Sequence, residues 1–189
     1  VAPLLEQIDA AMAEHPEFSY TVLFVDDGST DASWPRIATL AHRFPQRVQA
    51  LRLRRNFGKS DALSLGFAHA SANIVITIDA DLQDDPAEIP KLIAKLDEGY
   101  DLVSGWKQNR NDPPSKTLPS KVFNFVTARL TKVSLKDFNC GLKAYHSDVI
   151  RAIHLYGELH RFIPVLAHHM GFRVTEVPVK HHPRRHGVS

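Results

Sequence analysis

Apolar residues along the chain alternate between two periods. Leu4, Leu5, Ile8, Ala11 and Met12 recur at helical spacing, and residues 20–25 then form a compact β-rich run that ends at Asp26. A helix is predicted from about residue 32 to 43, with Ser29, Thr30 or Asp31 as candidate N-caps. Residues 48–53 alternate like a strand, residues 59–70 return to helical composition, and residues 74–78 are a near-continuous apolar strand breaking at Asp79. Pro86 suits the first turn of a helix running to about Asp97, Gly99 closes it, and residues 102–104 read as a short strand. Further on, helices are predicted over 147–155 and 158–169 and a strand over 173–180. Residues 108–120 are polar with three prolines and read as a loop, and residues 121–132 form a basic amphipathic stretch.

Strand, helix, strand, helix with apolar strands predicts an α/β fold, a mostly parallel sheet flanked by helices. No internal repeat or low-complexity tract interrupts it, so residues 1–189 are read as a single domain. Composition narrows the class little: 43% hydrophobic and 23% charged residues are ordinary for a globular chain. Charge says more. Lys+Arg 23 against Asp+Glu 21 gives a net charge of +2, which argues against nucleic acid as a partner held by bulk charge. One cysteine, Cys140, excludes a disulfide framework and reads as a buried, neutral thiol. No apolar run approaches the ~20 residues that span a bilayer. The opening Val1 and the end at Gly187-Val188-Ser189 lead us to expect a segment truncated at both ends.

In open α/β sheets, ligands bind beyond the carboxyl ends of the strands. Two strands here end in acids. Asp26 and Asp27 are adjacent carboxylates whose repulsion calls for a cation or a donor-rich ligand, while Gly28, Ser29 and Thr30 read as a turn and cap. Asp79, Asp81 and Gln83 stand two apart, so an extended segment would put three oxygen donors on one face, suited to a hard divalent cation. Asp84 or Asp85 is expected to cap the Pro86 helix. His168-His169 and His181-His182-x-x-x-His186 have zinc-like composition, but adjacent histidines on one element point apart, so packing is preferred. Residues 180–186 are a cation run that reads either as a solvated loop or as a phosphate site. The stretch 121–132 reads either as core packing or as a membrane-surface helix.

Four segments occur in a telling order: Val25-Asp26-Asp27-Gly28-Ser29-Thr30-Asp31, Arg55-Asn56-Phe57-Gly58-Lys59, Asp79-Ala80-Asp81-Leu82-Gln83-Asp84-Asp85-Pro86 and Asp137-Phe138-Asn139-Cys140-Gly141-Leu142-Lys143. Together they resemble the family-2 inverting glycosyltransferases, in particular the branch of dolichyl- and polyprenyl-phosphate sugar synthases. The resemblance implies the GT-A nucleotide-sugar-binding fold, with a first strand and loop expected before Val1. It implies that Asp27 contacts the nucleotide base, that Asp26, Lys59 and Asp79 line the nucleotide pocket, and that Asp79, Asp81 and Gln83 hold Mg²⁺ or Mn²⁺ and the diphosphate. Asp137 matches the family's catalytic carboxylate. Arg161, Arg184, Arg185 and Ser189 match its acceptor-phosphate cations and loop.

The expected partners are a nucleoside-diphosphate sugar donor, a polyprenyl phosphate acceptor and a membrane surface at the cytoplasmic face, with a homo-oligomer left open. One alternative within the family is a saccharide or other soluble acceptor. Another, from a different class, is a phosphoacceptor receiver domain, which also clusters strand-end acids near a lysine. The Asp79–Gln83 pattern and the basic tail argue against the receiver.

Overall fold

The structure, a computed structural model, describes residues 1–108, 127, 129, 131, 133 and 135–183. The chain divides into two compact units, Val1–Ser71 with His154–His160, and Ala72–Ile153 with Arg161–Ser189.

The first unit carries α1 (Ala2–Ala13), β1 (Val22–Asp26), α2 (Ser33–Arg43), β2 (Val48–Arg52) and α3 (Lys59–His69). Pro3 sits in the first turn of α1, where a missing N–H costs nothing, and Leu4, Leu5, Ile8 and Met12 form its buried face. β1 and β2 pair in parallel from Val22↔Val48 to Asp26↔Arg52, with α2 packed on β2 and α3 on β1. No side chain caps α2; instead Asp31 Oδ1 accepts the Ser33 N–H at 2.9 Å.

The second unit carries β3 (Ile74–Thr77), a 3₁₀ turn Pro86–Glu88 leading into α4 (Ile89–Asp97), β4 (Leu102–Lys107), β5 (Lys143–His146), α5 (Ser147–Ala152), α6 (Ile163–His169) and β6 (Val174–Val179). Its sheet runs in the order β3-β5-β4-β6. β4 and β6 are parallel, whereas β5 runs antiparallel to both neighbours, with Thr77↔Lys143 on one side and Ser104↔Lys143 on the other. α4 packs on β4 and β5, and α6 on β4 and β6. A cluster of Val133, Leu135, Phe138 and Val165, with Phe162 and Val174 against it, fills the space beside β6.

The α/β expectation holds, with three local corrections. β5 was not anticipated, because Lys143 and His146 break its apolar pattern. β4 runs three residues past the predicted strand. The single helix expected over 158–169 is a 3₁₀ turn, Leu159–Phe162, followed by α6, because Pro164 lacks the N–H that a continuous helix would need there. Among the described residues, no helix is long and apolar enough to cross a membrane.

Candidate active site

In the first unit the parallel register sets Asp26 opposite Arg52 at the strand ends. Arg52 Nε lies 3.3 Å from Asp26 Oδ2, and the Ser29 N–H donates to the same oxygen at 3.2 Å. The Arg52 guanidinium also lies 5.4 Å from the centre of the Trp34 ring. The next carboxylate is handled differently. Asp27 Oδ1 accepts the Phe57 N–H at 2.8 Å, and Oδ2 the Gly58 N–H at 2.9 Å. The two adjacent charges thus meet their cation and donors within the chain itself. Each Asp27 oxygen keeps a second lone pair, so a donor on a ligand can still be accepted.

Gly28 makes this clamp possible. Its φ is +69°, and a Cβ there would lie 2.3 Å from the Arg55 carbonyl carbon. The loop that follows ends at Lys59, exposed in the first turn of α3. Arg55 stacks 4.3 Å from the centre of the exposed Phe57 ring. Buried Ser60 accepts the His160 N–H at 3.1 Å and meets His160 Nδ1 at 3.2 Å, tying residues 154–160 to α3.

In the second unit, the segment after β3 is not extended as the spacing suggested. Ala80 and Asp81 form a turn, Leu82 takes φ +63°, and Asp81 Oδ1 accepts the Gln83 N–H at 3.1 Å. Asp79, Asp81 and Gln83 therefore do not share a face by strand alternation. A leucine in the left-handed region costs roughly 1–2 kcal/mol, which the surrounding turn must hold in place. Asp85 is the cap: its Oδ1 accepts the Ala87 N–H at 3.0 Å. Asp84 turns inward instead and is 1% exposed. No well-aligned hydrogen bond reaches its oxygens among the described residues; the compensating charge is Lys107 Nζ, 3.0 Å from Oδ1.

Lys107 closes β4. Burial pulls its ammonium down, but Asp84 leads a set of attractions that outweighs it, so the group stays protonated above the ordinary lysine range. Its own N–H points at Asp137 Oδ2 at 3.5 Å, while Asp137 Oδ1 accepts the Asn139 N–H at 3.0 Å. Asp137 is 1% exposed. Beside it, burial and then the Asp84 charge push the Cys140 thiol up to about 12, which leaves it neutral. The Lys143 ammonium donates to the Cys140 carbonyl.

The acidic loop and the loop of Asp137 meet where Gly141 approaches Asp79. A Cβ built on Gly141 would lie 2.5 to 2.9 Å from the Asp79 carboxylate. Thr77 Oγ1 donates to the Gly141 carbonyl at 2.9 Å. On its far side the acidic loop joins the chain beyond β6: Asp84 bridges His181, the His182 N–H donates to the Gln83 carbonyl at 2.7 Å, and His182 Nε2 lies 3.2 Å from Asp85 Oδ2.

The donor set fits a hard cation only in part. Asp79, Asp81 and Gln83 offer oxygen ligands, but among the described residues no three His, Cys, Asp or Glu side chains gather into a metal cage. Such a set suits an ion that completes its shell with a diphosphate and water.

Arg161 is exposed in the 3₁₀ turn before α6. His168 and His169 are exposed at the end of α6. Arg184, Arg185 and Ser189 lie outside the described residues, as does most of the stretch 121–132; within it Thr127 is buried and Arg129 exposed. Sequence reasoning missed Lys107, the inward turn of Asp84 and the role of Gly141. A lysine directly after the apolar run 102–106 was the available signal for the first.

Comparison with known proteins agrees with this geometry. The family described as "Glycosyl transferase family 2" matches residues 2–153. A dodecaprenyl-phosphate galacturonate synthase of Rhizobium johnstonii is 38% identical over 193 aligned residues, covering 100% of this chain and 57% of that protein. An undecaprenyl-phosphate 4-deoxy-4-formamido-L-arabinose transferase of Edwardsiella ictaluri is 42% identical over 170 residues, 90% of this chain and 52% of that protein. The chain thus spans a little over half the length of these relatives. Among solved structures, glucosyl-3-phosphoglycerate synthase from Mycobacterium tuberculosis with Mn²⁺ and uridine-diphosphate-glucose superposes with a TM-score of 0.67 at 20% identity, over 96% of this chain and 67% of that one. The same enzyme with phosphoglyceric acid gives a TM-score of 0.70 at 21% identity, over 97% and 68%. These likenesses establish the GT-A fold. They also remove the receiver-domain alternative: the chain belongs to glycosyl transferase family 2.

Proposed function

We propose that the protein moves a glycosyl group from a nucleoside-diphosphate sugar to a polyprenyl phosphate in one inverting displacement. The observation that carries this reading is the close approach of Asp79 to Gly141, which sets the diphosphate-motif carboxylate against the loop that carries Asp137. The names of the relatives above support polyprenyl phosphate as the acceptor class. The two compact units are read as one catalytic domain, in line with a family match that runs through both. In this reading the reaction runs at the cytoplasmic face of a membrane and the whole protein is anchored there.

In this reading Asp26, Asp27 and Lys59 bind the nucleotide, and Asp79, Asp81 and Gln83 hold Mg²⁺ or Mn²⁺ with the diphosphate. The cation, when bound, supplies positive charge to the leaving diphosphate. The bond from the anomeric carbon to the diphosphate oxygen breaks as an acceptor phosphate oxygen attacks from the opposite face. That oxygen is already anionic, so Asp137 orients the acceptor more than it removes a proton. Arg161, Arg184 and Arg185 neutralise the acceptor phosphate, and the Ser189 hydroxyl donates a hydrogen bond to it.

The test uses the full-length protein in detergent with undecaprenyl phosphate, Mg²⁺ or Mn²⁺ and a panel of nucleotide sugars. A lipid-extractable glycosyl product that disappears on chelation is expected. Transfer to a soluble phosphate monoester or saccharide, with none to the lipid, would instead favour the soluble-acceptor alternative.

A further inference from the structure

We infer that Gly141 is a positioning residue that sets the place of the Asp79 carboxylate, acting through the space left by its missing side chain. The inference rests on the reading above, in which Asp79 serves the cation and the diphosphate.

The geometry leaves little freedom. A Cβ at Gly141 would come within 2.5 Å of Asp79 Oδ2, 2.6 Å of its carboxyl carbon and 2.9 Å of Oδ1. Oxygen and carbon in van der Waals contact stand more than 3 Å apart, so one of the two groups must yield. Three successive carbonyls, of Cys140, Gly141 and Leu142, each hold a donor and tether the backbone around Gly141. The Gly141 carbonyl accepts from Thr77 Oγ1 at 2.9 Å, and that hydroxyl is itself 3.3 Å from the Tyr145 hydroxyl. The next carbonyl, of Leu142, accepts the Gly105 N–H at 2.9 Å. The preceding carbonyl, of Cys140, takes the Lys143 ammonium, and the Cys140 sulfur would stand 2.8 Å from a Cβ on Gly105. Asp79 has two rotatable bonds, Cα–Cβ and Cβ–Cγ, between its backbone and its carboxyl oxygens, so the carboxylate moves and the loop stays.

Backbone strain does not explain this glycine. Gly141 is absent from the glycines with positive φ, so its backbone is open to any residue. The requirement is for room, and the group that uses the room is the first acid of the motif. A displacement of a few tenths of an ångström to an ångström matters for an oxygen ligand, because coordination distances are narrow.

The experiment compares wild type, Gly141→Ala, Asp79→Ala and the double variant in the full-length protein. Mn²⁺ binding in the presence of UDP, with GDP as a second probe, is read by electron paramagnetic resonance alongside thermal unfolding. We expect Gly141→Ala to weaken Mn²⁺-dependent nucleotide binding on the order of tenfold or more, the scale seen when a group that orients a metal ligand is changed. In the Asp79→Ala background, where the carboxylate is gone, the second substitution should change neither binding nor melting temperature further.

Unchanged Mn²⁺–nucleotide affinity in a folded Gly141→Ala protein would overturn the inference. An equal loss of melting temperature from Gly141→Ala in both backgrounds would also overturn it, because the collision would then not be with Asp79. Wild type that binds neither nucleotide with Mn²⁺ would overturn the functional reading, and this inference with it.

Discussion

Both units place carboxylates at or beyond the end of a strand, and they compensate them in different ways. In the first, Asp26 and Asp27 are met by an exposed guanidinium and by main-chain N–H groups of the loop they organise. In the second, Asp84 is sealed from water and balanced by one ammonium, Lys107. Asp26 is itself buried, but its guanidinium partner is exposed, and half-buried Asp27 shares its charge over two fixed main-chain dipoles, so losing one donor to Asp27 costs little. A buried pair concentrates the compensation in one contact. Removing either partner strands a charge in low dielectric. The first arrangement suits a surface that must admit a polar ligand, and the second suits a scaffold that must not move.

That contrast ranks the consequences of mutation. Lys107→Met leaves Asp84 buried without its counter-charge and should cost about 3–5 kcal/mol in chemical denaturation, the scale for breaking a buried ion pair. Adding Asp84→Asn to Lys107→Met should restore most of that loss. If Lys107→Met alone is neutral, the pair is not the anchor described above.

Gly28→Ala comes next, at about 2–3 kcal/mol, since it demands both a left-handed φ and room beside the Arg55 backbone. Asp27→Ala removes two main-chain hydrogen bonds from a partly open site and should cost about 1–2 kcal/mol. Hydrogen exchange at the Phe57 and Gly58 amides should accelerate in that variant, while amides of β4 stay protected; uniform acceleration would mean the clamp is not local.

The smallest effect concerns pH. Burial raises the Glu176 carboxyl above its ordinary value of 4.5, although its carboxylate accepts the Lys136 N–H at 2.7 Å. The folded state therefore binds this proton more tightly than the unfolded state. Its contribution to stability is full below pH 4.5 and is lost as pH rises through the folded value. Glu176→Gln should flatten stability against pH across that window, and an unchanged profile would remove Glu176 as its source.

The sequence made the β1 and β3 strand ends legible because apolar runs stop abruptly at Asp26 and near Asp79. It did not disclose β5, whose Lys143 is buried with its ammonium on the Cys140 carbonyl. That contact has no signature in the apolar pattern. Nor could spacing reveal the turn at Ala80–Asp81, since an every-second pattern of acids is equally compatible with a strand and with a folded loop. The choice between Asp84 and Asp85 as cap was likewise open in sequence. Lys107 decides it, by drawing Asp84 into the interior. Asp137 is legible in sequence only through its motif, and the structure adds that it is buried beside Lys107 while its Oδ1 also closes a turn with Asn139.

That double position makes Asp137→Asn the most direct test of the account. Asparagine keeps an acceptor oxygen for the Asn139 N–H, removes the charge, and gives up only the long 3.5 Å contact of Oδ2 with the Lys107 N–H. Measured on the full-length protein, nucleotide affinity with Mn²⁺ and melting temperature should stay close to wild type, while transfer to undecaprenyl phosphate falls on the order of a hundredfold or more. Undiminished transfer by the folded variant, or loss of stability alone, would show that Asp137 serves the turn and not the reaction.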